Sequence, residues 1–293
     1  MPPAVSVNQE LNLPHHVVES SRLRAPAFFK AAWWSHVLNK RSTAFILAWP
    51  LPLTLLALWW LGSSQGWIAQ QTLPSPQMVF DTFSLLFQTG ELQNNLVISL
   101  TRVVNGFLLG GSIGLLLGVA MGLSKTMEEY LYPTFKIIAY VPLLGWLPLL
   151  IVLFGIGEAL KFVLIAKASL IPTTMNTFQG IRNVPRNFLE LGKVYRFSHW
   201  QLLRRIVFPA AFPAIWNGIR YGLTHSWLIL LVVELLASSE GLGYMMVSGQ
   251  QLFQLDLVLV AVVVIGAIGF VMDKGLELIE RRLLRWRRDA FAS

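Results

Sequence analysis

The chain has 293 residues, of which 55% are hydrophobic and 13% charged, with a formal net charge of +8. That charged share is about half the usual one for a soluble domain; with a mean hydropathy of +0.58 it excludes a pair of ordinary water-soluble globules and marks an integral membrane protein. The absence of cysteine excludes a disulfide framework, thiolate zinc sites, iron–sulfur clusters and a cysteine nucleophile.

Residues 1–42 read as a polar to mixed tail carrying His15, His16 and five Lys/Arg, with an amphipathic stretch at Phe28–Trp34 suited to the membrane interface. They lack a short apolar core followed by a small-residue cleavage site, so no cleaved signal peptide is expected. A membrane domain over 43–280 follows. It holds about six predominantly apolar stretches, near 43–62, 103–124, 137–157, 162–181, 207–235 and 257–276, each close to the ~20 residues needed to span a bilayer. Residues 281–293 form a basic tail. The predicted fold class is an all-α polytopic membrane protein.

Orientation follows from Lys and Arg. The N-terminal tail carries five, the 182–205 loop six and the stretch from Lys274 onward six, whereas 63–98 and 236–256 carry none. The positive-inside rule then places both termini and the 182–205 loop in the cytoplasm. Between the first two spans, Ser75–Pro76 followed by Val79, Phe80, Phe83, Leu86 and Phe87, and then by Gly90, predicts a short extracytoplasmic helix.

The second span carries Gly106, Gly110, Gly114, Gly118 and Gly122, one every four residues. Small residues at this spacing let helix backbones approach closely, within a bundle or at a subunit contact. Catalytic signals are missing: the only Gly-Lys, Gly192–Lys193, is followed by Val194 rather than by the Ser or Thr of a phosphate loop. The five histidines form no cluster with metal-ligand spacing. No enzyme, metal or cofactor is expected in this chain.

The 182–205 loop is the informative stretch. Pro185 suits the first turn of a helix, and Phe188, Leu191 and Tyr195 recur at helical spacing as one apolar stripe. Ser198-x-x-Gln201 can form a capping box that starts a second helix. The loop therefore predicts a helix–turn–helix elbow with a greasy stripe in basic surroundings. Such an elbow can rest on anionic lipid or dock a cytoplasmic partner.

This loop resembles the cytoplasmic loop of permease subunits of binding-protein-dependent ABC importers. Their pattern is Glu-Ala-Ala, three residues, Gly, nine residues, then Ile-x-Leu-Pro. Here it reads Glu190-Leu191-Gly192, Arg196 at the glycine position, then Ile206-Val207-Phe208-Pro209, with no gap. Arg196 is the departure, since glycine there permits a positive φ. Leu73-Pro74-Ser75-Pro76, Ile181-Arg182-Asn183, Trp227 through Glu234 and Gly241-Leu242-Gly243-Tyr244 are similar to the sulfonate/taurine/nitrate-type branch. The resemblance covers about residues 45–288. It implies a type I importer fold in the bacterial inner membrane, a homodimeric permease and two cytoplasmic ATPases that carry ATP and Mg and dock on the loops. It further implies a periplasmic substrate-binding protein and a small oxyanion cargo: an aliphatic sulfonate or taurine, or alternatively nitrate. Glu190 would make an ion-pairing contact with the ATPase. A self-sufficient secondary transporter would instead need coupling carboxylates at the midplane and internal repeats, and neither is evident. A non-transporting scaffold with an interfacial elbow is the other rival.

Charges within spans are costly in lipid and normally face a cavity or a partner. Lys167, Arg220 and Glu234, with Trp227 nearby, are therefore candidate pathway residues. Arg220 and Glu234 lie roughly 21 Å apart along a straight helix at ~1.5 Å per residue, too far to pair within it. Arg102 and Lys161, at span ends, are expected to snorkel.

Overall fold

The computed structural model describes residues 49–284 apart from Ile68, Gln70 and Gln71. The N-terminal tail with its Phe28–Trp34 stretch, the start of the first span and the basic tail from 285 onward lie outside the described residues. Every regular element among the described residues is helical. They are α1 (Pro50–Ser64), α2 (Pro76–Gln88), α3 (Glu91–Leu123), α4 (Lys125–Tyr140), a 3-10 turn (Leu143–Trp146) leading into α5 (Leu147–Phe154), α6 (Glu158–Arg182), α7 (Arg186–Val194), α8 (His199–Leu202), a π turn (Leu203–Val207), α9 (Phe208–Ala237), α10 (Leu242–Gln251) and α11 (Leu255–Leu283).

Among the described residues, three helical stretches are long and apolar enough to cross a bilayer: Glu91–Leu123, His199–Ala237 and Leu255–Leu283. The bent pair Lys125–Tyr140 and Leu143–Phe154 makes a fourth if it counts as one span. The span expected at 137–157 is a broken one, two helical pieces meeting at 92°. Pro142 is the cause: it lacks an amide and disfavours helical geometry at the residue before it, and Val141 is extended (φ −69, ψ 118). The second span is longer than expected, its helix starting at Glu91. Its neighbour α6 has a more polar sequence than the other long helices because its Ser and Thr side chains face protein. Ser169, Thr173, Thr174 and Thr177 are fully buried, and Thr173 donates to the Gly218 carbonyl of α9 at 3.3 Å.

Glycine sets the bundle's spacing. Gly106, Gly110, Gly114, Gly118 and Gly122 are all buried, and the face they form lies along α6. A Cβ at Gly110 would stand 1.9 Å from the Ala166 carbonyl oxygen, and one at Gly118 2.6 Å from Thr177 Cβ. An adjacent face of α6 meets α9 in the same way: a Cβ at Gly218 would lie 2.8 Å from Asn176 Cβ, and one at Gly222 2.7 Å from Thr173 Oγ1. Close backbone approach gains dispersion contacts where burial against lipid tails supplies little drive.

At the Glu158 end of α6, an ionic network ties the bundle, with Arg102, Lys161 and Glu234 buried and Glu158 half exposed. Arg102, 3% exposed, donates to both Glu158 oxygens (2.9 and 2.5 Å), to Glu234 Oε1 (2.8 Å) and to the Glu240 carbonyl (2.8 Å). Lys161, also buried, reaches Glu158 Oε1 at 2.7 Å. Neither cation snorkels, contrary to the expectation from their positions at span ends: α6 and α9 bring the Glu158 and Glu234 carboxylates to them, which removes the need to reach water. Glu234 also accepts from Ser99 Oγ (2.8 Å) and from the Gly243 amide (2.9 Å). Ser99 and Asn95 take the Leu242 and Gly241 amides at 2.9 and 2.7 Å. Side chains of α3 and α9 thus satisfy the amides that open α10. Gly241 has φ +108, and a Cβ there would sit 2.3 Å from Glu234 Oε1, so this turn admits only glycine without rearrangement.

Two outcomes follow from this packing. Gly110→Ala drives a methyl into the Ala166 carbonyl and should lower stability by about 1–3 kcal/mol. Gly111→Ala meets only the Phe107 ring, at 3.5 Å, and should be neutral or slightly stabilising, both read by thermal unfolding of the purified protein. Arg102→Met strands the Glu234 carboxylate and should cost about 3–5 kcal/mol, with part of the loss recovered by adding Glu234→Gln.

Candidate functional site: the elbow and the in-span charges

The elbow is built against the Arg182 end of α6. Pro185 occupies the N-cap position of α7, and α7 ends at Tyr195. Leu189, Leu202 and Leu203 pack onto the buried cluster of Ile181, Val184, Val207, Ala211 and Ile215, which anchors the elbow to α6 and α9. Gly192 is buried on this inner face, where a Cβ would meet Leu202 Cδ1 at 2.4 Å and Ile206 Cδ1 at 3.2 Å. The outer face is apolar and open: Phe188 (52%), Leu191 (53%), Val194 (80%) and Tyr195 (67%) are exposed, as is Trp200 (67%).

Arg196 resolves the departure from the glycine pattern. Its φ is +51, so the left-handed turn is kept and an arginine adopts it. The Phe197 amide donates to the Gly192 carbonyl (2.9 Å) and the Arg196 amide to that of Lys193 (3.0 Å). These are the two bonds of a Schellman C-terminus. Phe197 stacks beside Tyr195, with ring centroids 6.0 Å apart, and Arg205 lies over its ring at 5.6 Å.

Ser198 and Gln201 close a reciprocal capping box: the Ser198 hydroxyl accepts the Gln201 amide (3.3 Å) and Gln201 Oε1 accepts the Ser198 amide (2.9 Å). The π turn at Leu203–Val207 comes next, just ahead of Pro209. Pro209 has no amide for the Arg205 carbonyl, and its ring crowds that oxygen in an α-helix. A local π geometry relieves both and lets α8 run on into α9.

Glu190 is exposed in the second turn of α7, whose first turn holds no acidic residue. The helix-dipole stabilisation expected for an early position is therefore small there, since it fades beyond the first turn. Among the described residues Glu190 makes no ion pair, although Arg186, Lys193 and Arg196 share the elbow with it.

The in-span charges divide into two kinds. Arg220 is bound by Asp273 of α11 (2.7 Å) and by Glu280 (3.0 Å), a link between α9 and α11. Glu234 belongs to the Arg102 network, and Trp227 is buried in the apolar core with Val103, Ile165 and Leu230. Lys167 differs. Its Nζ donates to the Val141 carbonyl at 3.2 Å and lies 5.3 Å from the Trp146 ring centroid. Among the described residues no carboxylate pairs with it. Glu158, which stands between apolar stretches, is lowered to about 2 by hydrogen bonding from Arg102, against burial, with Lys161 adding to the fall. It stays ionised at any physiological pH.

Sequence reasoning missed the Arg102–Glu158–Lys161–Glu234 network, because its members come from three helices. The available signal was the pair of glycines at 241 and 243, both of which lie against Glu234. Lys167 was legible as a costly charge, but its place at the Val141 break was not.

Residues 110–285 match the family model described as "Binding-protein-dependent transport system inner membrane component". The chain is 38% identical over 237 residues to the putative aliphatic sulfonates transport permease protein SsuC of Bacillus subtilis, covering 81% of this chain and 86% of that protein. It is 32% identical over 269 residues to the taurine transport system permease protein TauC of Escherichia coli, covering 86% of this chain and 98% of that protein. Among solved structures, a chain of an amino acid ABC transporter crystallised with histidines shares the fold, with a TM-score of 0.55 at 19% identity over 68% of this chain and 97% of that one. The apolar spans, the elbow pattern and these matches agree. The chain belongs to the inner membrane components of binding-protein-dependent transport systems, the non-enzymatic permease subunits of ABC importers that work with separate ATPase and substrate-binding subunits.

Proposed function

We propose that this permease carries a small organic anion, with an aliphatic sulfonate or taurine as the best-supported cargo and nitrate or another small oxyanion as the alternative. Two copies of the chain pair in the membrane, and an ATPase bearing ATP and Mg docks on each elbow from the cytoplasm, where both termini also lie. The Lys and Arg asymmetry between loops supports that orientation. The names of the sulfonate and taurine relatives support the cargo.

The elbow is the observation that carries this reading. Its inner face is locked to α6 and α9 by Leu189, Gly192 and Leu202, while Phe188, Leu191, Val194 and Tyr195 stay largely exposed on the outer side among the described residues. A rigid attachment with an open apolar face can receive a push and pass it into the bundle as a rigid-body shift. Glu190, exposed beside that face and unpaired among the described residues, is proposed as the charge the ATPase reads. Pro185, Ser198, Ile206 and Pro209 shape the backbone that presents it. For the pathway, Lys167 is the candidate cation, while Arg220 and Glu234 serve the bundle through their ion pairs and Trp227 through its packing.

Glu190→Gln keeps the shape and removes the charge. The permease should fold and assemble normally, while affinity for the ATPase falls by about 2 kcal/mol, ~30-fold, because a partner cation is left unpaired. Titration of labelled ATPase onto reconstituted permease measures this. Unchanged docking by both Glu190→Gln and Glu190→Ala would assign the contact to another part of 186–200.

A further inference from the structure

Between α3, α4 and α6 lies a cavity of about 410 Å³, within the size range of small-molecule sites. Leu109 and Ile113 of α3, Phe135 and Ile138 of α4 and Val163 of α6 are among its walls, and the only polar side chains lining it are Thr134 and Lys167. Lys167 lies nine residues beyond Glu158, roughly 14 Å along the helix at ~1.5 Å per residue, half-buried beside walls that include the exposed Leu109 and Ile113. Among the described residues its ammonium has a single carbonyl, that of Val141, and one ring face, that of Trp146. Both contacts come from the break between α4 and α5, where the chain leaves helical geometry.

An ammonium at this depth with only neutral partners is poorly compensated. An arriving anion supplies what is missing, and the apolar walls beside it favour an anion that also carries hydrocarbon. A bare oxyanion would gain the charge contact and nothing from the walls. We propose that Lys167 and this cavity form a binding site for the whole cargo, the ammonium taking the anionic head and the cavity the alkyl tail. The permease itself then reads tail length, independently of the binding protein. This inference rests on the proposed cargo class and adds a site and a selectivity to it.

The test uses the full permease–ATPase complex in nanodiscs without binding protein, titrated with labelled ethane-, butane- and hexanesulfonate. Binding to empty nanodiscs is subtracted to remove partition into lipid. Affinity should rise about 4-fold per methylene, the ~0.8 kcal/mol of a buried CH₂, until the cavity is filled. Lys167→Met should weaken all three ligands at least ~10-fold, and Lys167→Arg should restore part of the binding. Ile113→Trp, which fills the cavity from α3, should flatten the chain-length series. This variant keeps the test decisive if Lys167→Met does not assemble. A flat series in the wild-type complex, or Lys167→Met and Ile113→Trp both binding like wild type, overturns the site. The same complexes are then placed in proteoliposomes with loaded binding protein and ATP, to separate this failure from failure of the proposed function. If hydrolysis and sulfonate uptake persist, only the site is lost; if neither occurs in the wild type with a sulfonate, the cargo assignment is lost as well.

Discussion

The close approach of α3 to α6 is the constraint on which the other features depend. Five glycines at four-residue spacing let the α3 backbone lie against Ala166, Leu170, Thr174 and Thr177 with no side chain between. In lipid, apolar burial gives helices little reason to associate, so the fit of surfaces decides which helices pair and in what register. Once α3 is seated, Arg102 lies beside Glu158 and Glu234, and α9 packs on the neighbouring face of α6 through Gly218 and Gly222. A shift by one turn would separate Arg102 from both carboxylates.

With register set this way, α6 becomes the member through which the two ends of the bundle are connected. One end holds the ionic network and the opening of α10. The other holds the elbow, whose Leu189 and Leu202 share a cluster with Ile181 of α6 and Ala211 of α9. Buried ion pairs contribute less to stability than their geometry suggests, because desolvation offsets most of the attraction. Their stronger effect is to penalise any arrangement that separates them. The same consideration sets Lys167 apart: Arg102, Lys161 and Arg220 have carboxylates supplied by the fold, and Lys167 has a carbonyl and a ring.

Much of this architecture is legible in the sequence. The membrane class follows from charge content, and the elbow from Pro185, the Phe188–Leu191–Tyr195 stripe and the Ser198–Gln201 box. These are local patterns, each enforced by backbone hydrogen bonding over a few residues. Arg196 shows how far such reasoning goes. Its position in the pattern requires a left-handed turn, and the structure shows the turn retained with φ +51. The break at Val141–Pro142 was also open to a local reading, since proline restricts its predecessor, yet an apolar run of span length concealed it. The early start of α3 at Glu91 was hidden by polar residues, Asn95, Ser99 and Arg102, that would face water in an isolated helix and here face α9 and α10.

What the sequence by itself determined is therefore the helical membrane class, the small-residue face of α3 and the shape of the elbow, all governed by composition and by neighbours close along the chain. Only the tertiary structure decided which charges are neutralised. Arg102 and Glu234 lie on different helices, as do Arg220 and Asp273. Whether a cation near the end of an apolar stretch reaches for water or turns inward depends on whether another helix brings it a carboxylate. Spacing along one helix carries no information about that. The pairing is an outcome of packing register, and packing register depends on how closely two surfaces can meet.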